Sequence, residues 1–154
     1  ALGTSAPLPM RLLSVRPLGT VLTRLQPPSE QQVEQLSKMV NEYPFVPELT
    51  DLLVATERLP GFRHTFLSML NALLRLRGAR PELRLTAQQL GHIEQPTLLV
   101  WGTDDPFGSP DVGERMVDVM PNAELQIVDG GHAPWLTQAA RIGPLTAGFL
   151  DRHG

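Results

Sequence analysis

The sequence predicts an α/β chain, with a cluster of helices in front and a strand–helix–strand–helix tail behind. Three observations carry that prediction. Apolar side chains recur at helical spacing through residues 29–78. Pro96-Thr97-Leu98-Leu99-Val100-Trp101-Gly102 is a short continuous apolar run bounded by Pro and Gly, the pattern of a parallel strand buried on both faces. Residues 123–128 read as a second strand, which Gly130-Gly131-His132 closes as a tight turn.

Each element follows from its own signals. Residues 1–28 hold five prolines and no clear period, so they are expected to be an irregular connecting segment with at most a helical turn around Met10–Val15. Ser29 with Gln32 three residues later is a capping-box pattern. The helix it opens places Val33, Leu36, Met39 and Val40 on one face and stops at Tyr43-Pro44. A second helix is expected over Glu48–Arg58, with Leu49, Leu52 and Leu53 inward, closed by Pro60-Gly61. A third is expected from Phe62 to Arg77, its face formed by Phe62, Phe66, Leu70, Leu73 and Leu74, with Gly78 as its C-terminal cap. Thr86 and Gln89 form another capping box, and Gly91 ends that short helix.

Beyond the first strand, Ser109-Pro110-Asp111 opens a helix with Ser as cap, Pro at the first position and an acid in the first turn. Val112, Met116, Val117 and Met120 form its apolar face, and Pro121-Asn122 ends it. A last helix is expected over Thr137–Arg152, with Pro144 in a first turn or at a kink. The expected organisation is a connecting segment over 1–28, a helical region over 29–85 and an α/β region over 86–154.

Composition excludes several functions. The chain has 154 residues, 42% apolar, with 26 leucines, enough for a sizeable interior. Residues 1–84 carry ten basic and seven acidic side chains, residues 85–154 three and nine, for a net charge of −3. No basic stripe faces a phosphate backbone, so no nucleic-acid partner is expected. The absence of cysteine excludes disulfides, a thiol nucleophile and thiolate metal sites, and agrees with a cytoplasmic setting. No stretch approaches the roughly 20 apolar residues that span a bilayer, so no membrane partner is expected. His64, His92, His132 and His153 show no i, i+3 or i, i+4 spacing, and no glycine-rich phosphate loop occurs. Neither a metal nor a cofactor is expected. His64, between Phe62 and Phe66, reads as a partly buried helix residue, and Arg75, Arg77, Arg80 and Arg84 as a solvated face.

Chemistry concentrates at Asp104, Asp105 and His132. In a parallel strand–helix–strand unit both strands point the same way, so the turns after them share one rim of the sheet. Asp105 lies four residues after Trp101, and His132 lies four residues after Val128. Open parallel sheets place their sites along that carboxyl-end rim. An acid there holds the imidazole in one tautomer and leaves its other nitrogen as a general base. Either motif alone also reads as ordinary turn chemistry, since Asp-Asp-Pro and Gly-Gly-His both favour turns.

Pro96-Thr-Leu-Leu-Val-Trp-Gly-Thr-Asp-Asp105, Pro110, Pro121-Asn-Ala-Glu-Leu125 and Gly130-Gly-His-Ala-Pro134 together resemble the carboxyl-terminal part of the α/β-hydrolase superfamily, over about residues 92–152. The resemblance implies that residues 29–85 stand where that family inserts a cap. It maps the triad acid onto Asp105, three residues after the glycine ending the strand, and the triad histidine onto His132. Phe107, in the acid loop, and Trp135, close to His132, are candidates to line a substrate pocket, with core packing as the alternative.

The departures are specific. That family carries its nucleophile in a Gly-x-Ser-x-Gly elbow ahead of the acid and histidine. Gly3-Thr4-Ser5-Ala6-Pro7 is the nearest approach, with Pro in place of the second glycine and no strand before it. Ser109 follows the acid and reads as a helix cap. The upstream oxyanion-hole segment is missing too. Family members often carry Glu five residues after the histidine, where this chain has Thr137. The expectation is therefore the back portion of a longer serine-type hydrolase, beginning at Ala1 without an initiator methionine and inactive alone. Its two strands would pair with a missing amino-terminal half or self-associate through the sheet edge. The substrate expected of the whole is a small apolar ester or related acyl compound. A non-catalytic binding or assembly module, and epoxide, haloalkane or carbon–carbon bond hydrolysis, are the alternatives.

Overall fold

Two short helices occupy the front segment that sequence composition marks as irregular. They are α1 (Leu8–Leu13) and α2 (Arg16–Leu25) in the computed structural model, which describes residues 6–154. The prolines start these helices rather than break them. Pro9 and Pro17 sit in the first turn of each, where a missing amide costs no hydrogen bond. Gly19 lets the helices close on each other, since a Cβ there would lie 2.3 Å from the Leu13 carbonyl oxygen.

Next come α3 (Glu30–Met39), α4 (Pro47–Glu57) and α5 (Phe62–Leu73). The Ser29 capping box is only half made. Ser29 accepts from the Gln32 amide, but the Gln32 side chain donates to the Gln26 carbonyl at 3.1 Å. Val33, Ser37 and Val40 form the buried face of this stretch. On α4 the buried residue is Val54, while Leu52, expected inward, is 61% exposed. Two residues along a helix is about 200° of rotation, so burying Val54 turns Leu52 outward.

The third helix stops short of the expected Arg77. Leu74–Arg75 (β1) and Gly78–Ala79 (β2) form an antiparallel hairpin instead. The Arg80 guanidinium explains the stop. Its Nε and Nη2 donate to the Asn71 carbonyl at 3.1 and 2.9 Å, and in a continuing helix that carbonyl would receive the residue 75 amide. Gly78, at φ 130°, therefore belongs to the hairpin and not to a helix cap. Arg75 and Arg80 both pair with Glu82. Leu67 and Leu70 are the buried face of α5, and Leu73 is exposed. His64 is exposed, contrary to expectation. Phe62 and Phe66 stack on each other at 5.8 Å, and His64 lies two positions from each, on the other side of the helix.

The tail follows the sequence closely. Thr86 and Gln89 complete both halves of their capping box at α6 (Ala87–Gly91), which buries Leu90. Two parallel strands follow, β3 (Thr97–Gly102) and β4 (Ala123–Val128), linked by α7 (Pro110–Val117). Gly113 sits flat against the sheet, where a Cβ would come within 2.9 Å of Leu125 and 3.1 Å of Trp101. Burial of β3 on both faces is not observed. Its residues are half-buried except Gly102, because each strand has one neighbour among the described residues. Ser109 precedes α7 as expected but makes no side-chain capping bond.

A 3₁₀ turn over Pro134–Leu136 delays the last helix, α8 (Ala139–His153), by two residues. Pro144 lies in its second turn and withholds the amide that would reach the Ala140 carbonyl. Arg152 pairs with Glu124 at 2.5 Å and ties this helix to β4. No helix among the described residues is long and apolar enough to cross a membrane.

Candidate active site

Register places the two chemical turns side by side. Gly102 pairs with Val128 at the carboxyl ends of both strands. The pairing continues beyond them, with the Thr103 amide donating to Val128 at 2.9 Å and the Asp104 amide to Gly130 at 2.9 Å. Gly102 must lack a side chain for this approach, since a Cβ would stand 1.9 Å from the Gly131 carbonyl oxygen.

From that rim, Asp105 turns inward. Its Oδ2 lies 3.0 Å and its Oδ1 3.2 Å from His132 Nδ1. Oδ1 also accepts the Phe107 amide at 2.7 Å, so the carboxylate is fixed by its own loop as well as by the imidazole. The Asp105 side chain is 8% exposed and that of His132 46%. A buried carboxylate on Nδ1 selects the tautomer with the proton there, leaving Nε2 as the acceptor. Among the described residues Nε2 has no hydrogen-bond partner. Asp104 points its backbone carbonyl to Asn41 Nδ2 at 2.7 Å and its side chain makes no bond to the imidazole.

Two aromatic residues shape the acid loop. Trp101 Nε1 donates to the Gly108 carbonyl at 2.8 Å, closing the loop at its far end. Phe107 packs against the imidazole, with ring centroids 4.2 Å apart and planes 43° apart. Trp135 is 51% exposed on the 3₁₀ turn. Two shallow hollows of about 290 and 490 Å³ lie along α3 and α4, and none of Asp105, Phe107, His132 or Trp135 lines them.

The histidine loop is held from a place that sequence reasoning missed. The His132 amide donates to the Val40 carbonyl at 2.9 Å. Glu42, only 2% exposed, accepts the amides of Gly131 at 2.9 Å and Ala133 at 3.2 Å through Oε1. Thr137 Oγ1 donates to its Oε2. The sequence marks position 137 as a departure from the resemblance but carries no signal that pairs it with Glu42. Ser5 lies outside the described residues. Among the described residues no group of three potential metal ligands converges.

A family model described as alpha/beta hydrolase fold matches residues 5–139. The chain belongs to the α/β-hydrolase family. Among the chain's relatives is a 2-hydroxy-6-oxononadienedioate/2-hydroxy-6-oxononatrienedioate hydrolase of Burkholderia vietnamiensis, 32% identical over 124 residues, 78% of this chain and 42% of that protein. A polyketide synthase of Burkholderia thailandensis is 44% identical over 64 residues, 41% of this chain and 3% of the synthase. Among solved structures, a meta-cleavage product hydrolase from Pseudomonas fluorescens aligns with a TM-score of 0.67 at 19% identity, over 99% of this chain and 53% of that one. The last likeness bears on fold. The chain thus spans less than half the length of the Burkholderia vietnamiensis relative.

Proposed function

We propose that this chain supplies the histidine and the acid of a nucleophilic hydrolase whose nucleophile and oxyanion hole lie in sequence outside residues 1–154. The observation that carries the reading is the 3.0 Å contact between His132 Nδ1 and the nearly buried Asp105 carboxylate. In this scheme Nε2 takes the proton of a serine hydroxyl as its oxygen bonds to the substrate carbonyl carbon. The imidazolium then gives that proton to the leaving group, and Asp105 compensates the positive charge between the two steps. A water repeats the sequence to release the acyl group and regenerate the nucleophile. Phe107 and Trp135 line the substrate side, with residues 29–85 acting as a cap.

The reacting group is the carbonyl of a small apolar ester or related acyl compound. A second reading, cleavage of a carbon–carbon bond beside a ketone, is favoured by the 32% identity to the oxononadienedioate hydrolase. The two differ in whether oxygen or carbon receives the proton from His132. In either case the edge of the two-stranded sheet pairs with further strands, and the setting is cytoplasmic.

The test is an assay of a chain extended upstream to include a nucleophile, against a chromogenic ester and against an oxo-dienoate. Turnover of either that requires both His132 and Asp105 supports the reading, and the preferred substrate selects the bond. Turnover by residues 1–154 alone that Ser5→Ala abolishes would overturn it.

A further inference from the structure

We propose that Glu42 is a positioning residue for His132, acting through the backbone on either side of it. The inference rests on the reading of His132 as the general base. Three consecutive residues, Val40, Asn41 and Glu42, grip both turns of the site. The Val40 carbonyl takes the His132 amide, Asn41 Nδ2 holds the Asp104 carbonyl, and Glu42 Oε1 bridges the amides of Gly131 and Ala133. The three successive amides around His132 therefore all end on this one clasp. They fix the backbone from which the imidazole projects, while Asp105 fixes the ring.

The clasp is built for close approach. Asn41 takes a left-handed conformation at φ 56°, which Asn adopts more readily than most residues and which lets its neighbours face the same loop. A Cβ on Gly131 would lie 2.0 Å from the Val40 carbonyl oxygen and 2.6 Å from that of Asn41. Only glycine lets the loop lie on the clasp. The second carboxylate oxygen of Glu42 accepts from Thr137, so the side chain is anchored from both ends of the turn that carries His132. A buried carboxylate in contact only with backbone amides and one hydroxyl orients a loop and does not touch a substrate.

Two measurements on the folded chain test this. In the wild type, the Gly131 and Ala133 amides should exchange with solvent on the order of 10-fold or more slower than in an unstructured peptide, as paired buried amides do. Imidazole ¹⁵N spectra should show His132 in one tautomer, with a bare Nε2. Glu42→Ala should speed exchange at both amides and move the two ring nitrogens toward averaged shifts, with β3 exchange unchanged. Glu42→Gln keeps an acceptor for both amides and should restore the wild-type spectrum.

Exchange of Gly131 and Ala133 at peptide rates in the wild type overturns the inference, whether or not Glu42→Ala folds. So does a tautomer signature that Glu42→Ala leaves in place, or that Glu42→Gln disturbs as much as Glu42→Ala. The readouts need no turnover. A failed hydrolase reading appears as an inactive extended chain with this coupling intact, and a failed positioning role as an active one without it.

Discussion

Gly102 and Gly131 approach so closely that a Cβ on the first would sit 1.9 Å from the carbonyl oxygen of the second. This contact joins the end of β3 to the loop carrying His132, two residues before the acid turn begins. The distance between acid and histidine is therefore set by backbone packing as well as by their own hydrogen bond.

Gly102→Ala should separate the two loops. The methyl cannot be absorbed by a flexible side chain, because the nearest atoms are backbone oxygens and a carbonyl carbon of Gly130 and Gly131. Overpacking of this kind costs about 1–3 kcal/mol, occasionally more. Urea denaturation should show that loss, and the His132 ring resonances should shift with it. An unchanged midpoint would mean that the loops relax freely.

Trp101→Phe removes one hydrogen bond and keeps the apolar packing against Gly113. The bond is Nε1 to the Gly108 carbonyl, which closes the loop containing Asp105 and Phe107. A net loss of about 1 kcal/mol is expected. Amide exchange should rise at Gly108 and Phe107 and stay constant at β4, which distinguishes a loosened loop from a weakened core.

The parallel strands and the Asp105–His132 contact were legible because both depend on local signals. A continuous apolar run with Pro and Gly at its ends defines a strand, and equal offsets from two registered strands define the rim. Prolines at 9 and 17 misled because their meaning depends on position, breaking a helix from inside but opening it from the first turn. The end of α5 was hidden because Arg80, seven residues beyond Leu73, takes the Asn71 carbonyl. Glu42 was unreadable for a related reason. Its partners lie 89 and 91 residues away, and no periodic pattern relates a buried acid to two distant amides.

The acid–histidine contact gives the sharpest kinetic expectation. In an extended, active chain, His132→Ala should lower kcat by about 10²–10⁴-fold, the range of general acid–base catalysis. Asp105→Asn should act similarly, because an amide that donates to Nδ1 presents the wrong tautomer. Asp104→Asn should leave kcat near wild type, since Asp104 is engaged through its backbone amide and carbonyl and not through its side chain. Equal losses at 104 and 105 would contradict the assignment of the acid.

A pH-dependent stability effect is expected far from the site. Burial raises the Glu57 carboxyl above its ordinary value, so the folded chain favours the protonated form. The stability linked to that proton is present below the unfolded value and is lost as pH rises through the folded one. Glu57→Gln, which cannot ionise, should thus be more stable than wild type near pH ~7, by about 0.5 kcal/mol or less for a partly exposed side chain. The difference should vanish below the ordinary carboxylate range, at pH of about 3. Urea midpoints of both proteins at the two pH values test the sign, and a stabilisation that is larger in acid would contradict it.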